Sequence, residues 1–268
     1  MKLPLFAAIA MLLSALRTEA SPVQTLPRMD REPAGTVGQS DSLKNPAAVD
    51  SVWLEATAKD ALNFRVFGRY ARDDARFEEL KRRFEAADTT LLPSDLYTLY
   101  YGSAYRSDYT GGYDASIGRK EMEEDPQGGY DLCREKLQLY PTSLRLLASL
   151  YMLARTLGHD EEELDRIWWR YMAILQAISF TGDGSKEYPY VVIQVSDEYE
   201  VVYNLLDVKS VAGQELRWQE KVPFDVLQVV PETDAGFQGR EVWFDIYYPL
   251  GTLMETMDGT KLKRIRNR

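Results

Sequence analysis

Two aspartates, Asp225 and Asp245, stand in late segments where apolar and polar residues alternate. Carboxyls on neighbouring strands could hydrolyse a glycosidic bond, at roughly 5.5 Å apart for retention or 6.5–9.5 Å for inversion, with one pKa raised. Asp245 shares its face with Trp243 and Tyr247. Alternating acids are also the ordinary pattern of an antiparallel sheet's solvent face. A second candidate is Gly182-Asp183-Gly184 with Glu187, a faint outline of a cation loop. Calcium takes about six to eight oxygens, and here only Asp183, Ser185 and Glu187 alternate. The simpler reading is a turn feeding a strand, with Gly182 as a left-handed helix cap. Ser196-Asp197-Glu198 reads as a hairpin turn.

Tyrosines form the third candidate. Tyr97, Tyr101 and Tyr105 are spaced by four and share a helix face, with Tyr109 and Tyr113 following. Such a stripe packs with its hydroxyls at the rim of a core, or, if exposed, receives a carbohydrate or a protein. Other chemistry is poorly served. Cys133 is the only cysteine and His159 the only histidine, which leaves little for zinc sites or for Cys-His and Ser-His-Asp catalysis. Gly111-Gly112 and Gly128-Gly129 lack the lysine and the strand-turn-helix context of a phosphate loop. The sequence predicts no cofactor.

The elements that must position these residues change character along the chain. Residues 1–20 read as a secretory signal peptide, with Lys2 before the apolar run from Leu3 to Leu16 and small residues at Thr18 and Ala20. Residues 21–49, rich in Pro, Gly, Ser and Thr, read as a disordered linker. No later apolar run is long enough for an integral membrane segment. The formal net charge of −10 opposes nucleic-acid binding. Residues 251–268 form a basic tail that includes Lys261, Lys263, Arg264, Arg266 and Arg268.

Residues 50–180 carry helical spacing. Pro93 suits the first position of a helix. Leu164, Ile167, Trp168, Tyr171, Ile174, Leu175 and Ile178 form a wide apolar stripe behind the acidic start Asp160 to Glu163. The segment from Tyr130 to Gly158, interrupted at Pro141, resembles one tetratricopeptide-like helical hairpin. In residues 181–250, Tyr190 to Val195, Tyr199 to Leu206, Leu216 to Gln219, Phe224 to Val230 and Val242 to Tyr248 alternate as strands, with Leu216 to Gln219 at an edge. Their short spacing leaves no room for helical crossovers. The expected fold is therefore α+β: a helical-hairpin part followed by a mostly antiparallel sheet of about five strands packed on it.

Two blocks carry a family resemblance. The run Asp88-Thr89-Thr90-Leu91 with Leu96-Tyr97-Thr98-Leu99-Tyr100-Tyr101-Gly102 resembles one block of a domain-of-unknown-function family of exported proteins from Bacteroides-type Gram-negative bacteria. The run from Arg170 through Gly184, then Val192 to Val195 and Ser196-Asp197-Glu198-Tyr199, resembles a second. Asp197 departs from it, standing where the pattern has a histidine. The resemblance implies a class and a compartment, periplasmic or extracellular, without a chemistry. The expected function is a non-enzymatic binding or interaction module of the cell envelope, contacting an envelope or extracellular protein or a glycan through Tyr97, Tyr101, Tyr105 and Tyr109. The alternative is a carboxylate-dependent hydrolase of a glycan, using Asp225 and Asp245.

Overall fold

The computed structural model describes residues 50–57, 62–112, 115–233 and 236–258, the side chains of 255–258 excepted. The expected signal peptide, the linker, Tyr113 and the charged residues 259–268 lie outside the described residues. No described helix is long and apolar enough to cross a membrane.

Helices come first, and short polar side chains start most of them. They are α1 (Ser51–Thr57), α2 (Phe64–Tyr70), α3 (Asp74–Glu85), α4 (Pro93–Tyr100), α5 (Arg119–Glu123), α6 (Pro126–Leu139), α7 (Leu144–Leu157) and α8 (Glu161–Ser179). Asn63, Asp73, Asp125, Ser143 and Asp160 each accept a backbone N–H of the first turn, the arrangement that satisfies orphan donors at a helix start. In α4, Pro93 opens the helix and Asp95 reaches back to the Leu92 N–H at 3.0 Å. Helix α7 ends at Gly158, whose φ of 74° is the left-handed region that favours glycine. Helices α6, α7 and α8 pack in succession; the tetratricopeptide likeness of the first two stays a likeness of sequence.

The sheet has four strands among the described residues: β1 (Tyr190–Val191), β2 (Val208–Gln219), β3 (Val222–Pro231) and β4 (Glu241–Asp245), in the order β1-β4-β3-β2. β2 and β3 are an antiparallel hairpin whose two connecting residues, Glu220 and Lys221, both have positive φ, as a type I′ turn requires. β4 pairs antiparallel with β3 and parallel with β1. The sheet is therefore mostly antiparallel, as expected, but with one parallel pairing and with four strands among the described residues, not about five. β2 lies at the edge, as its alternation predicts.

The missing strand is Tyr199 to Leu206. It folds as a short helix α9 (Ser196–Glu200) followed by a π turn at Val201–Leu205. Asp197, Glu198, Glu200, Val201 and Val202 are all buried, a helical spacing that the adjacent valines disguise as a strand. The last expected strand stops at Asp245, because its Oδ1 accepts the Tyr247 N–H at 3.0 Å and starts α10 (Tyr247–Asp258). That helix takes residues 251–258 of the segment read as tail. The expected left-handed cap at Gly182 is absent: α8 ends on Phe180 in a right-handed conformation, and the positive φ belongs to Gly184 in the turn that follows. One hydrophobic core runs from Val52 through the helices to Phe244 and Leu253, so the helices and the inner sheet face share it. Phe224, Val226 and Trp243 form a smaller cluster on the other face.

Candidate functional site

Strand parity decides what the two aspartates can do. Asp225 is paired with Phe244, and Asp245 with Phe224. Directly opposed residues share a face and neighbours alternate, so Asp225 and Asp245 point to opposite sides of the sheet. Asp225 points inward with Leu227, Val229 and Phe244; Asp245 lies on the outer side with Phe224 and Trp243. They form no catalytic pair.

Asp225 instead meets an acid that the sequence reading had placed in a turn. Helix α9 carries Glu198 against it, carboxyl to carboxyl. Both side chains are 0% exposed. Gln214 of β2 donates its amide to Asp225 Oδ2, and Tyr199 donates to Gln214 Oε1 at 3.1 Å. On one flank, Asp197 accepts from the Tyr100 hydroxyl at 2.5 Å and faces the backbone N–H of Leu144 at the start of α7. On the other flank, Glu200 accepts from Tyr171 at 3.0 Å and from Asn204 at 3.1 Å. The four acids thus sit between helices α4, α7 and α8 and the inner face of the sheet.

Electrostatics in this cluster favours protonated forms. Burial pushes the Asp197 carboxyl up to about 8, against the Tyr100 and Leu144 hydrogen bonds. Burial also raises Glu200, opposed by Tyr171, by the Arg145 charge and by Asn204. Glu198 is held well above the usual carboxylate range, first by burial and then by Asp225 beside it. Two carboxylates about 4 Å apart repel by about 4 kcal/mol at an effective dielectric of 20, so the contact is stable only with a proton between them. Chemically, the arrangement stores a proton. All four acids are buried among the described residues.

The tyrosine stripe is interior. Tyr97 and Tyr101 are 2% and 0% exposed, and each hydroxyl donates to a backbone carbonyl: Tyr97 to Ala177 at 2.9 Å and Tyr101 to Val191 at 3.0 Å. Helix α4 ends at Tyr100, and Tyr101–Tyr105 continue as a tighter 3-10 turn, so Tyr105 and Tyr109 leave the expected helix face. Tyr105 pairs with Tyr248 at 2.8 Å between hydroxyls, and Tyr109 donates to the Ile193 carbonyl at 2.5 Å. Tyr97 and Tyr101 therefore offer no exposed platform. Tyr97 ties α4 to α8, and Tyr101 ties the turn after α4 to β1.

The loop around Asp183 is a turn. Asp183 Oδ1 accepts the Ser185 N–H at 2.9 Å, and the Asp183 and Gly184 N–H groups both donate to the Tyr188 carbonyl. The Ser185 hydroxyl and N–H hold the Asp183 carboxyl below its ordinary range. Among the described residues no group of three or more His, Cys, Asp or Glu is arranged to hold a metal ion, around Asp183 and Glu187 or elsewhere. The loop's own surface is aromatic, with Phe180 at one end 59% exposed and Tyr188 at the other 67% exposed.

The one sequence signal that pointed to the acid cluster was the block Ser196-Asp197-Glu198-Tyr199, which carried the family resemblance. Both blocks fall within the stretch that a comparison with family descriptions identifies. Neither a curated protein nor a solved structure matches the chain. The chain belongs to the family defined by the domain of unknown function DUF4919, which matches residues 71–255.

Proposed function

We propose that the protein is an exported, non-enzymatic interaction module of the cell envelope, and that it contacts its partner through the aromatic loop between α8 and β1. The observation that carries this reading is the exposure of Phe180 and Tyr188 at the two ends of a loop whose backbone is pinned. The Tyr188 carbonyl accepts two loop N–H groups. The Tyr188 N–H donates to Ser185 Oγ at 3.1 Å, and Trp243 N–H donates to the Gly184 carbonyl at 2.9 Å. Thr181 Oγ1 accepts the Val191 N–H at 3.0 Å. Aromatic side chains on a preorganised support lose little freedom on binding, and such rings dominate the energetics of protein interfaces. The acids that a glycan hydrolase would use are either sealed, as Asp225 is, or engaged in starting α10, as Asp245 is. A protein partner is therefore favoured over a glycan substrate.

A photo-crosslinking residue placed at Phe180, with a control at the exposed Leu139 of α6, tests the reading in envelope preparations. A defined adduct from position 180 that is absent from position 139, and that is competed by the unlabelled chain, supports it. Equal labelling from the two positions removes the loop as the contact surface.

A further inference from the structure

Of the buried acids, one stands apart by its surroundings. Asp197 has Tyr100 from α4 and the Leu144 N–H from α7. Glu200 has Tyr171 from α8, Asn204 from the π turn and the charge of Arg145 from α7. Asp225 has Gln214 from β2, which Tyr199 holds in turn. Glu198 has no such donor: neither Oε1 nor Oε2 receives a hydrogen bond from an N–H or O–H among the described residues. What meets it is the Asp225 carboxyl, with Asp197 nearby as a further acid. A carboxyl so placed can be bonded only by carrying a proton itself or by sharing one.

We propose that the Glu198–Asp225 pair is a proton-operated latch: one shared proton joins α9 to β3, and its removal in alkaline solution frees the segment from Ser196 to Leu206 from the sheet. The backbone of the segment is irregular. α9 is a single turn and runs into a π turn, an irregularity that concentrates at functional positions. The next residue but one, Asp207, has a φ of 54°, a strained value for a side chain other than glycine. Opening there breaks the carboxyl pair at one end and leaves β2 and β3 paired at the other. Because Asp197 and Glu200 are bonded to helices α4, α7 and α8, their ionisation is met by donors already in place; ionisation of Glu198 is not. The latch is independent of the aromatic loop proposed as the contact surface.

Hydrogen–deuterium exchange on the full chain at about pH 6 and about pH 9, corrected for the intrinsic rates, reads the latch directly. The expected result is a loss of protection at the higher pH, about tenfold or more beyond any loss elsewhere in the chain, in peptides covering residues 196–206 and the facing part of β3. Glu198→Gln supplies an amide N–H to Asp225 without a titrating proton, so its loss of protection at residues 196–206 should shrink to that of the rest of the chain. The proposal is overturned if wild-type protection is equal at the two pH values, if protection is lost uniformly along the chain, or if Glu198→Gln keeps the excess loss at residues 196–206. Should that variant fail to fold, Asp225→Asn places the amide on the opposite partner and is read in the same way.

Discussion

The Tyr100 hydroxyl donates to Asp197 Oδ2 at 2.5 Å and accepts the backbone N–H of Ile193 at 3.3 Å. One fully buried oxygen on α4 therefore holds both the chain leaving β1 and the first acid of α9. Tyr100→Phe keeps the ring and removes both bonds. Leaving a buried donor and a buried carboxyl short of a partner costs about 1–3 kcal/mol, which urea unfolding should show as a lower midpoint with an unchanged slope. A change within a few tenths of a kcal/mol would mean that Asp197 finds another donor.

The pH dependence of stability follows from the same acids. In an unfolded chain an aspartate titrates near about 3.9, whereas Asp197 in the fold titrates at about 8. Below the first value both states hold the proton, and its stabilising effect is complete. Between the two values only the folded state holds it, so stability falls as pH rises, by up to about 1.4 kcal/mol per pH unit for each such group. Glu198 and Glu200 are raised in the same direction. Denaturation at about pH 5.5 should therefore give a higher unfolding free energy than at about pH 8. Asp88, held down to about 2 by Thr90 and Arg83, acts in the opposite sense, but only in the acid region below its unfolded value. Stability that rises from pH 5.5 to 8 would contradict the assignment.

Asp245 has a structural task, and two substitutions separate it from catalysis. Asp245→Ala removes the acceptor for the Tyr247 N–H and should cost about 1 kcal/mol, while Asp245→Asn retains an oxygen and should cost much less. Thermal unfolding of the two variants side by side checks this. Equal losses would point to the charge, not to the hydrogen bond.

Cys133 is enclosed in α6, with its thiol 3.7 Å from the Leu146 carbonyl, and burial pushes its pKa up to about 12. The reactive thiolate is thus nearly absent from the folded protein at neutral pH. Alkylation by iodoacetamide should be negligible in the native state and become fast in denaturant, with a midpoint matching global unfolding. Rapid native labelling would show that α6 opens locally.

What could be read ahead of the structure was what depends on near neighbours. The stripe through Leu164, Ile167, Trp168, Tyr171, Ile174, Leu175 and Ile178 needs only its own period, and all of these side chains are buried in α8 except Trp168, which is half-buried. The start at Pro93 and the stop at Gly158 are equally local. The pairing of Tyr190 with Phe244 joins segments far apart in sequence through a strand of two residues, which leaves no periodic trace. Asp225 and Asp245 show the same limit. Alternation assigns each a face within its own strand, but only the register reveals that the faces are opposite. The tyrosines kept their spacing up to the end of α4, where the tighter turn re-aimed Tyr105; their burial depended on carbonyls contributed by Ala177 and Val191.

Strand β4 lies between β1 and β3, though it is the last of the four to be made. Until Glu241–Asp245 has emerged, Tyr190 and Val191 have no neighbour in the sheet, and the inner face that closes over the acids lacks Phe244. Closure of the sheet therefore waits for residues 241–245, a pairing distant in sequence from β1. A nascent chain in which residues 241–245 have not yet emerged lacks the strand that joins β1 to β3. Emergence of these five residues is thereby coupled to consolidation of the sheet.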